Sequence, residues 1–316
     1  MNKKSVILVI MLLFSLIVTI IYINNKKRKE YFNPDYNREL ITNIKNIEIF
    51  NEDIKNKYQF TYISDLHLSI IDQTEKDEQI KKSLEERNIS FAELNVNKIS
   101  SEKIFPEIIK YSNNKNVDAL LLGGDIIDSP SNSNLEFLRY NLKNYKKDYL
   151  YTLGNHDWSF AWDYHTDAAR EKFYPKFSEF MDDVQVSYLE YEDLIIVAIN
   201  NSDNQINEEA TEKIKKILEK QKPTIVMMHV PLSTQYIADE AMKIRNRISV
   251  IGEHGIQPTE TTQKAIDLIL SEKYKVFHII SGHVHFYITD EINKRIIQDV
   301  SAPAYEGAIN LIRINN

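Results

Sequence analysis

Residues 149–160 read YLYTLGNHDWSF. An apolar run from Tyr149 to Leu153 stops at Gly154, and Asn155, His156 and Asp157 follow at once. An amide, an imidazole and a carboxylate at the tip of a buried strand are costly unless each finds a partner. The reading of this stretch depends on whether other strands end the same way.

Strand candidates lie at 59–64 (QFTYIS), 117–124 (VDALLLGG), 148–153 (DYLYTL), 193–200 (DLIIVAIN), 223–230 (PTIVMMHV) and 276–282 (VFHIISG). Several are continuous apolar runs, as expected of strands buried on both faces. Helix-like stretches separate them at 101–111, 134–145, 207–222 and 259–274. Glu208 and Glu209 suit the positive end of the third helix, and Pro223 lies just beyond it. Residues 286–316 suggest three short strands with a turn around Pro303 and Gly307. This alternation predicts an α/β fold with helices covering sheet faces.

Five of these strands end in polar clusters. The first gives Asp65 and His67 in ISDLHLS, and the second gives Asp125 and Asp128 in GGDIID. The third gives Asn155, His156 and Asp157, the fifth His229 in MMHVP, and the sixth His283 and His285 in SGHVH. In open α/β sheets ligands bind beyond the carboxyl ends of strands, so all five clusters point to one place. The i, i+2 spacing of Asp65 with His67, and of His283 with His285, predicts paired side chains on one side of an extended chain. A lone histidine there is most often a satisfied structural group. Five of the eight histidines fall in these patterns. Carboxylates and imidazoles crowded together need cations, and oxygen and nitrogen donors without sulfur suit Mn, Fe, Zn, Mg or Ni.

In their order, DLH, GDIID, GNHD, an isolated histidine and GHVH resemble the calcineurin-like metallophosphoesterase superfamily, over residues 65–285. Singly, DxH and GHxH are weak patterns; the ordered set is strong. The resemblance implies a four-layer α/β/β/α sandwich and one domain, since the site needs both ends of the chain. It also implies two divalent metals: one on Asp65, His67, Asp125 and His285, the other on Asp125, Asn155, His229 and His283. His156 would face the phosphate and protonate the leaving oxygen, with Asp128 fixing its tautomer. The implied reaction is hydrolysis of a phosphodiester or pyrophosphate by a hydroxide shared between the metals. Gly154 is expected to permit a tight turn, and Asp157 to brace the loop or a ligand histidine.

Two other readings stay open. A phosphomonoesterase or phosphoprotein phosphatase is one, although Ser129 and Trp158 stand where arginines follow the corresponding blocks in the phosphoprotein enzymes. The other is a catalytically inactive, metal-binding anchor that acts as a scaffold.

Composition bounds the rest. The 316 residues are 43% hydrophobic and 27% charged, enough for a sizeable core. A net charge of −7 argues against nucleic-acid binding. Zero cysteines exclude disulfides, thiolate metal sites and a thiol nucleophile. Ser5 to Ile23 carries no charge, and as a helix it would cover roughly 28 Å, the thickness of a bilayer core. Lys3 and Lys4 precede the run, Lys26, Lys27, Arg28 and Lys29 follow it, and no small-residue cleavage site comes next. The expectation is an uncleaved single-pass anchor with its basic flank (1–30), a linker (31–58) with a short strand near 47–50, and a catalytic domain (59–316). Counting Lys and Arg would keep the body in the cytoplasm. The MNKK start before an apolar run has the layout of an export signal, and an extracytoplasmic body at the cell membrane is expected. Phosphorylated lipids or cell-envelope esters then become candidate substrates.

Four further features carry bland readings beside functional ones. His278 reads as structural, whereas His165 and His254 lie in segments suited to substrate loops. Trp158, Phe160 and Trp162 suit either a pocket wall or core packing. Arg245 and Arg247 suit a second phosphate, an acidic head group or a solvated face, and the charged run 72–88 an exposed helix or lid.

Overall fold

The computed structural model describes residues 37, 39–85, 100–158 and 166–315. Glu39–Asn316 forms one compact unit; of the other, Met1–Arg38, only Asn37 is among the described residues. The apolar run 5–23 therefore lies outside them, as do His165, Phe160 and Trp162. Among the described residues no helix is long and apolar enough to cross a membrane.

Among the described residues eleven strands make two sheets. The first has the order β1-β11-β2-β3-β4, and the second β5-β6-β7-β8-β10-β9. The strands are β1 Asn43–Phe50, β2 Tyr58–Ile63, β3 Ala119–Leu122, β4 Asp148–Tyr151, β5 Val186–Glu190 and β6 Ile195–Ile199. They continue with β7 Thr224–Met228, β8 Val276–Ser281, β9 Ile288–Asn293, β10 Ile296–Val300 and β11 Ala308–Asn315. β2, β3 and β4 run parallel, as do β6, β7 and β8, so their carboxyl ends gather at one edge of each sheet.

Period-two burial builds the layers. Ile196 and Ala198 of β6 join Phe60, Tyr62 and Leu121 of the first sheet in a core between the sheets. The alternate residues Ile195, Val197 and Ile199 face the other way and pack under two helices. These are α5 (Glu208–Leu218), which contributes Ala210 and Ile214, and α7 (Glu260–Leu270), which contributes Ala265 and Ile269. With α1 (Ser101–Lys115) and α2 (Asn132–Lys143) on the first sheet's side, the architecture is the expected α/β/β/α sandwich. Each fully buried Ile or Leu contributes about 1.5–3 kcal/mol, so the double-sided burial of β6 favours this fold over any with an open sheet.

Several elements differ from expectation, two of them instructively. α5 stops at Leu218 rather than 222; Asn207 caps its start by accepting from the Ala210 N–H at 2.8 Å. β1 extends over 43–50, further than the short strand expected near 47–50, because every residue of it pairs in register with β11.

Candidate metal centre

The polar clusters converge beyond β2, β3, β4, β7 and β8, but not as extended chain. β2 ends at Ile63 and β8 at Ser281, before the side chains in question. Asp65 (φ 56°), His67 (49°), Asp125 (52°), His283 (71°) and His285 (60°) all adopt left-handed backbone. The expected i, i+2 pairing is thus replaced by alternate left-handed kinks, each costing roughly 1–2 kcal/mol for a side chain with a Cβ. Five such residues in one site make a strained constellation of the kind found at functional centres.

Three groups result among the described residues. Asp65, His67, Asp125 and His285 offer ligand atoms within 4.8 Å of one another, as do Asp125, His229 and His283, and as do His67, Asp128 and His156. Asp125 belongs to the first two groups. His285 Nε2 lies 3.2 Å from Asp65 Oδ1, and His229 Nε2 lies 3.1 Å from Asp125 Oδ2. All but His156, His283 and His285 are buried, and those three are slightly exposed, with 12% of the His156 side chain and 10% of the His285 side chain reaching solvent.

The hydrogen bonds set the imidazole tautomers. His229 Nδ1 donates to the Gly123 carbonyl at 2.9 Å and His67 Nδ1 to Asp128 at 2.7 Å, which leaves both Nε2 lone pairs facing inwards. There they meet other nitrogens: His67 Nε2 is 3.1 Å from His285 Nε2, and His229 Nε2 is 3.2 Å from His283 Nδ1. Burial opposes charge on His229, yet Asp125 pushes its imidazole up to about 9, so a cation here takes the place of the Nε2 proton and frees that lone pair. Burial and the facing His229 push His283 well down. Asn155 Oδ1 is buried with no hydrogen-bond partner. Opposed lone pairs, crowded carboxylates and an orphaned amide oxygen are all relieved by cations in this space, so the residues fit divalent metals.

Asp157 lies beneath the centre. Its Oδ2 accepts from the backbone N–H of Asp125 (2.9 Å) and Gly154 (2.7 Å). Its Oδ1 accepts from Ile126 (2.9 Å), Ile127 (3.0 Å) and the Tyr151 hydroxyl (2.7 Å). Burial and the Asp125 carboxylate push its carboxyl up to about 7, against the pull of these donors. Of the two expected roles for Asp157, bracing the loop is the one present. Asp128, buried, serves two rings, lying 2.7 Å from His67 Nδ1 and 3.1 Å from His156 Nδ1. Against burial, those imidazoles hold its carboxyl well below the usual range.

Gly154 is needed for space rather than for a turn, and it is absent from the positive-φ residues. A Cβ there would lie 2.2 Å from Asp125 Oδ1 and 2.3 Å from Asp125 N. Gly154→Ala should therefore displace Asp125, cost about 1–3 kcal/mol and lower turnover about 100-fold. Thermal unfolding and turnover on a phosphodiester check this together; a variant unchanged in both would show that the loop yields freely.

Some site residues escaped the sequence reading. Asn201, just beyond β6, accepts from the backbone N–H of His229 (3.1 Å) and Val230 (3.0 Å) and donates to the Val230 carbonyl at 2.7 Å. It thereby fixes the turn that carries His229. Tyr305 sits in a short helical turn (Ala304–Glu306), its hydroxyl 3.4 Å from His285 Nδ1. An asparagine after an apolar run was the only sequence signal for the first; nothing local marked the second. His278 is structural, paired with Asp299 at 2.9 Å. Trp158 is core, donating to Ser202 Oγ at 2.7 Å. His254 is half-buried in a turn whose backbone bonds Ser233, and it belongs to none of the three groups.

No curated protein matches the chain. Among solved structures, a purple acid phosphatase from yellow lupin (Lupinus luteus) seeds aligns with 82% of this chain and 46% of its own, at 14% identity and a TM-score of 0.51. A dimetal phosphatase from Danio rerio aligns with 79% of this chain and 88% of its own, at 11% identity and a TM-score of 0.49. The sequence model of the calcineurin-like phosphoesterases matches residues 58–287, a span that runs from β2 through all five strand-end clusters. The chain belongs to the calcineurin-like phosphoesterases, hydrolases of phosphate esters.

Proposed function

We propose that this phosphoesterase cleaves a phosphodiester or pyrophosphate. Asp65, His67, Asp125 and His285 would hold one divalent metal, and Asp125, Asn155, His229 and His283 the other. The observation that carries the reading is the pair of ligand groups joined at Asp125, with the His156–Asp128 pair beside them. Bound divalent cations supply Lewis acidity and activate water in such sites.

The chain's own groups do the rest. Asp128 lies 3.1 Å from Nδ1 of His156 and orients the ring, so Nε2 is the nitrogen left to serve a leaving oxygen. The His156 N–H donates to Asp125 Oδ1 at 2.7 Å, which ties the acid's backbone to the shared carboxylate. Ser129 and Trp158 stand where arginines follow the corresponding blocks in phosphoprotein phosphatases, which weighs against that alternative. The uncharged run 5–23 and its basic flank support a single-pass anchor at the cell membrane with the body outside it.

The test compares bis-p-nitrophenyl phosphate with p-nitrophenyl phosphate after stripping and reloading with Mn²⁺, Zn²⁺ or Fe²⁺. Metal-dependent preference for the diester is expected; preference for the monoester would overturn that part of the reading. His156→Ala should keep its metal and lose about 10²–10⁴-fold in rate. Loss of metal in that variant would make His156 a ligand rather than the acid.

A further inference from the structure

Nine large hydrophobic side chains are exposed among the described residues, and four fall between 236 and 248: Tyr236, Met242, Ile244 and Ile248, each 40–53% exposed. They lie on helix α6 (Gln235–Arg245) and the turn after it. Residues 242–248 read MKIRNRI, with three cations and no acid in a chain of net charge −7. Lys243 pairs with Glu240 at 2.9 Å.

The position of this patch gives it meaning. Ile237, Ala238 and Ala241 of α6 pack against Val284, Ile288 and Val300, with Phe286 beside them. Val284 and Phe286 flank His285 in sequence, so α6 lies against the segment that carries this ligand candidate. Arg245 follows Ala241 by one helical turn, is half-buried, and its charge is felt by both His285 and Tyr305. The chain also enters the domain at this end. Thr42 N donates to the Gly307 carbonyl at 3.1 Å and Thr42 Oγ1 to the Glu306 carbonyl at 2.8 Å, on the turn that holds Tyr305. Only residues 24–41 separate that point from the uncharged run ending at Ile23.

Apolar side chains interleaved with cations on one short helix end match an interfacial lipid contact, in which the apolar groups enter the acyl boundary and the cations meet anionic head groups. We propose that Tyr236, Met242, Ile244 and Ile248 form a bilayer-contacting patch beside the metal centre, with Arg245 and Arg247 at headgroup depth. The proposal rests on the phosphodiesterase reading for its substrate, an amphiphilic phosphodiester that presents its phosphate from an anionic lipid surface.

The absence of native cysteine makes the test clean. Ile244→Cys, and as control Lys273→Cys ahead of the opposite end of β8, are each labelled with bimane in the full chain. The chains are reconstituted in phosphatidylcholine vesicles with or without phosphatidylglycerol and brominated acyl chains. The label at 244 should lose at least about half its emission in brominated anionic vesicles, and the label at 273 little. Equal quenching at both positions overturns the patch. Quenching that ignores lipid charge and rises with protein density would place a second copy there, and overturns it too.

A second readout uses Met242→Ser with Ile248→Ser. The ratio of turnover on a vesicle-borne fluorogenic phosphatidyl ester to turnover on soluble bis-p-nitrophenyl phosphate should fall about tenfold, the fold-change for about 1.4 kcal/mol. An unchanged ratio overturns the proposal. Loss of all turnover in the unsubstituted, metal-loaded chain, with quenching intact, would sink the diesterase reading and support the patch alone.

Discussion

Asp125→Asn is expected to reduce bound metal from two ions per chain to one or none and to lower turnover by at least about 1,000-fold. Asp125 is the one carboxylate common to both ligand groups. Its Oδ2 lies 3.1 Å from His229 Nε2 and 3.8 Å from His67 Nε2, while Oδ1 accepts from the His156 N–H. An asparagine can keep the contact to His156 through its amide oxygen. It then turns an uncharged NH₂ towards the two metal positions, where a donor repels a cation and a lone pair is lost. Loss of several kcal/mol of charge stabilisation corresponds to that fall in rate. Metal analysis after gel filtration and phosphodiester turnover, run on the same sample, check the two halves. Two ions per chain with normal turnover would remove Asp125 from the shared position.

The second large effect belongs to a residue that touches no ligand atom. Asp157→Ala should destabilise the domain by about 4 kcal/mol or more. It leaves four backbone N–H groups and the Tyr151 hydroxyl without their acceptor, and each buried donor so orphaned costs about 1–3 kcal/mol unless water refills the space. Against a usual total of about 5–15 kcal/mol, this brings the domain near unfolding at ordinary temperature. Asp157→Asn should recover only part of the loss. Both carboxylate oxygens accept at least two donors, so an NH₂ in either place faces N–H groups. Urea unfolding of the metal-loaded protein, with metal content beside it, tests this. An alanine variant within about 1 kcal/mol of wild type would mean that the Asp125–Ile127 loop holds its shape by packing alone.

What the sequence made legible follows from what is local. Apolar runs marked β2, β3, β4, β6, β7 and β8 because both faces of these strands are buried. β5 went unmarked: only Val186 and Ser187 of its five residues are buried, so it reads as polar surface. α6 was missed for the opposite reason, since Met242 and Ile244 are exposed and blur its apolar stripe. The nine candidate site residues could be named because each follows a strand directly. How they converge could not, since the left-handed backbone of Asp65, His67, Asp125, His283 and His285 is imposed by tertiary contacts rather than by residue type. The supports Asn201 and Tyr305 were not legible, because the run 200–204 after β6 (NNSDN) and the turn at 304–306 carry no histidine or ligand-like spacing to single them out.

The pairing of β1 with β11 has a consequence in time. Asn43 lies opposite Ala308, and every partner in that ladder is 265 residues away. At a synthesis rate of about 5–20 residues per second, β1 waits on the order of 13–50 s after leaving the ribosome before its partner exists. During that interval the edge of β2 that β11 will cover has no strand beside it, and Asp65 has no His285 to face. The nascent chain therefore has an unclosed sheet and half a site until β11 has been made and has left the ribosome, and the domain can first close only then.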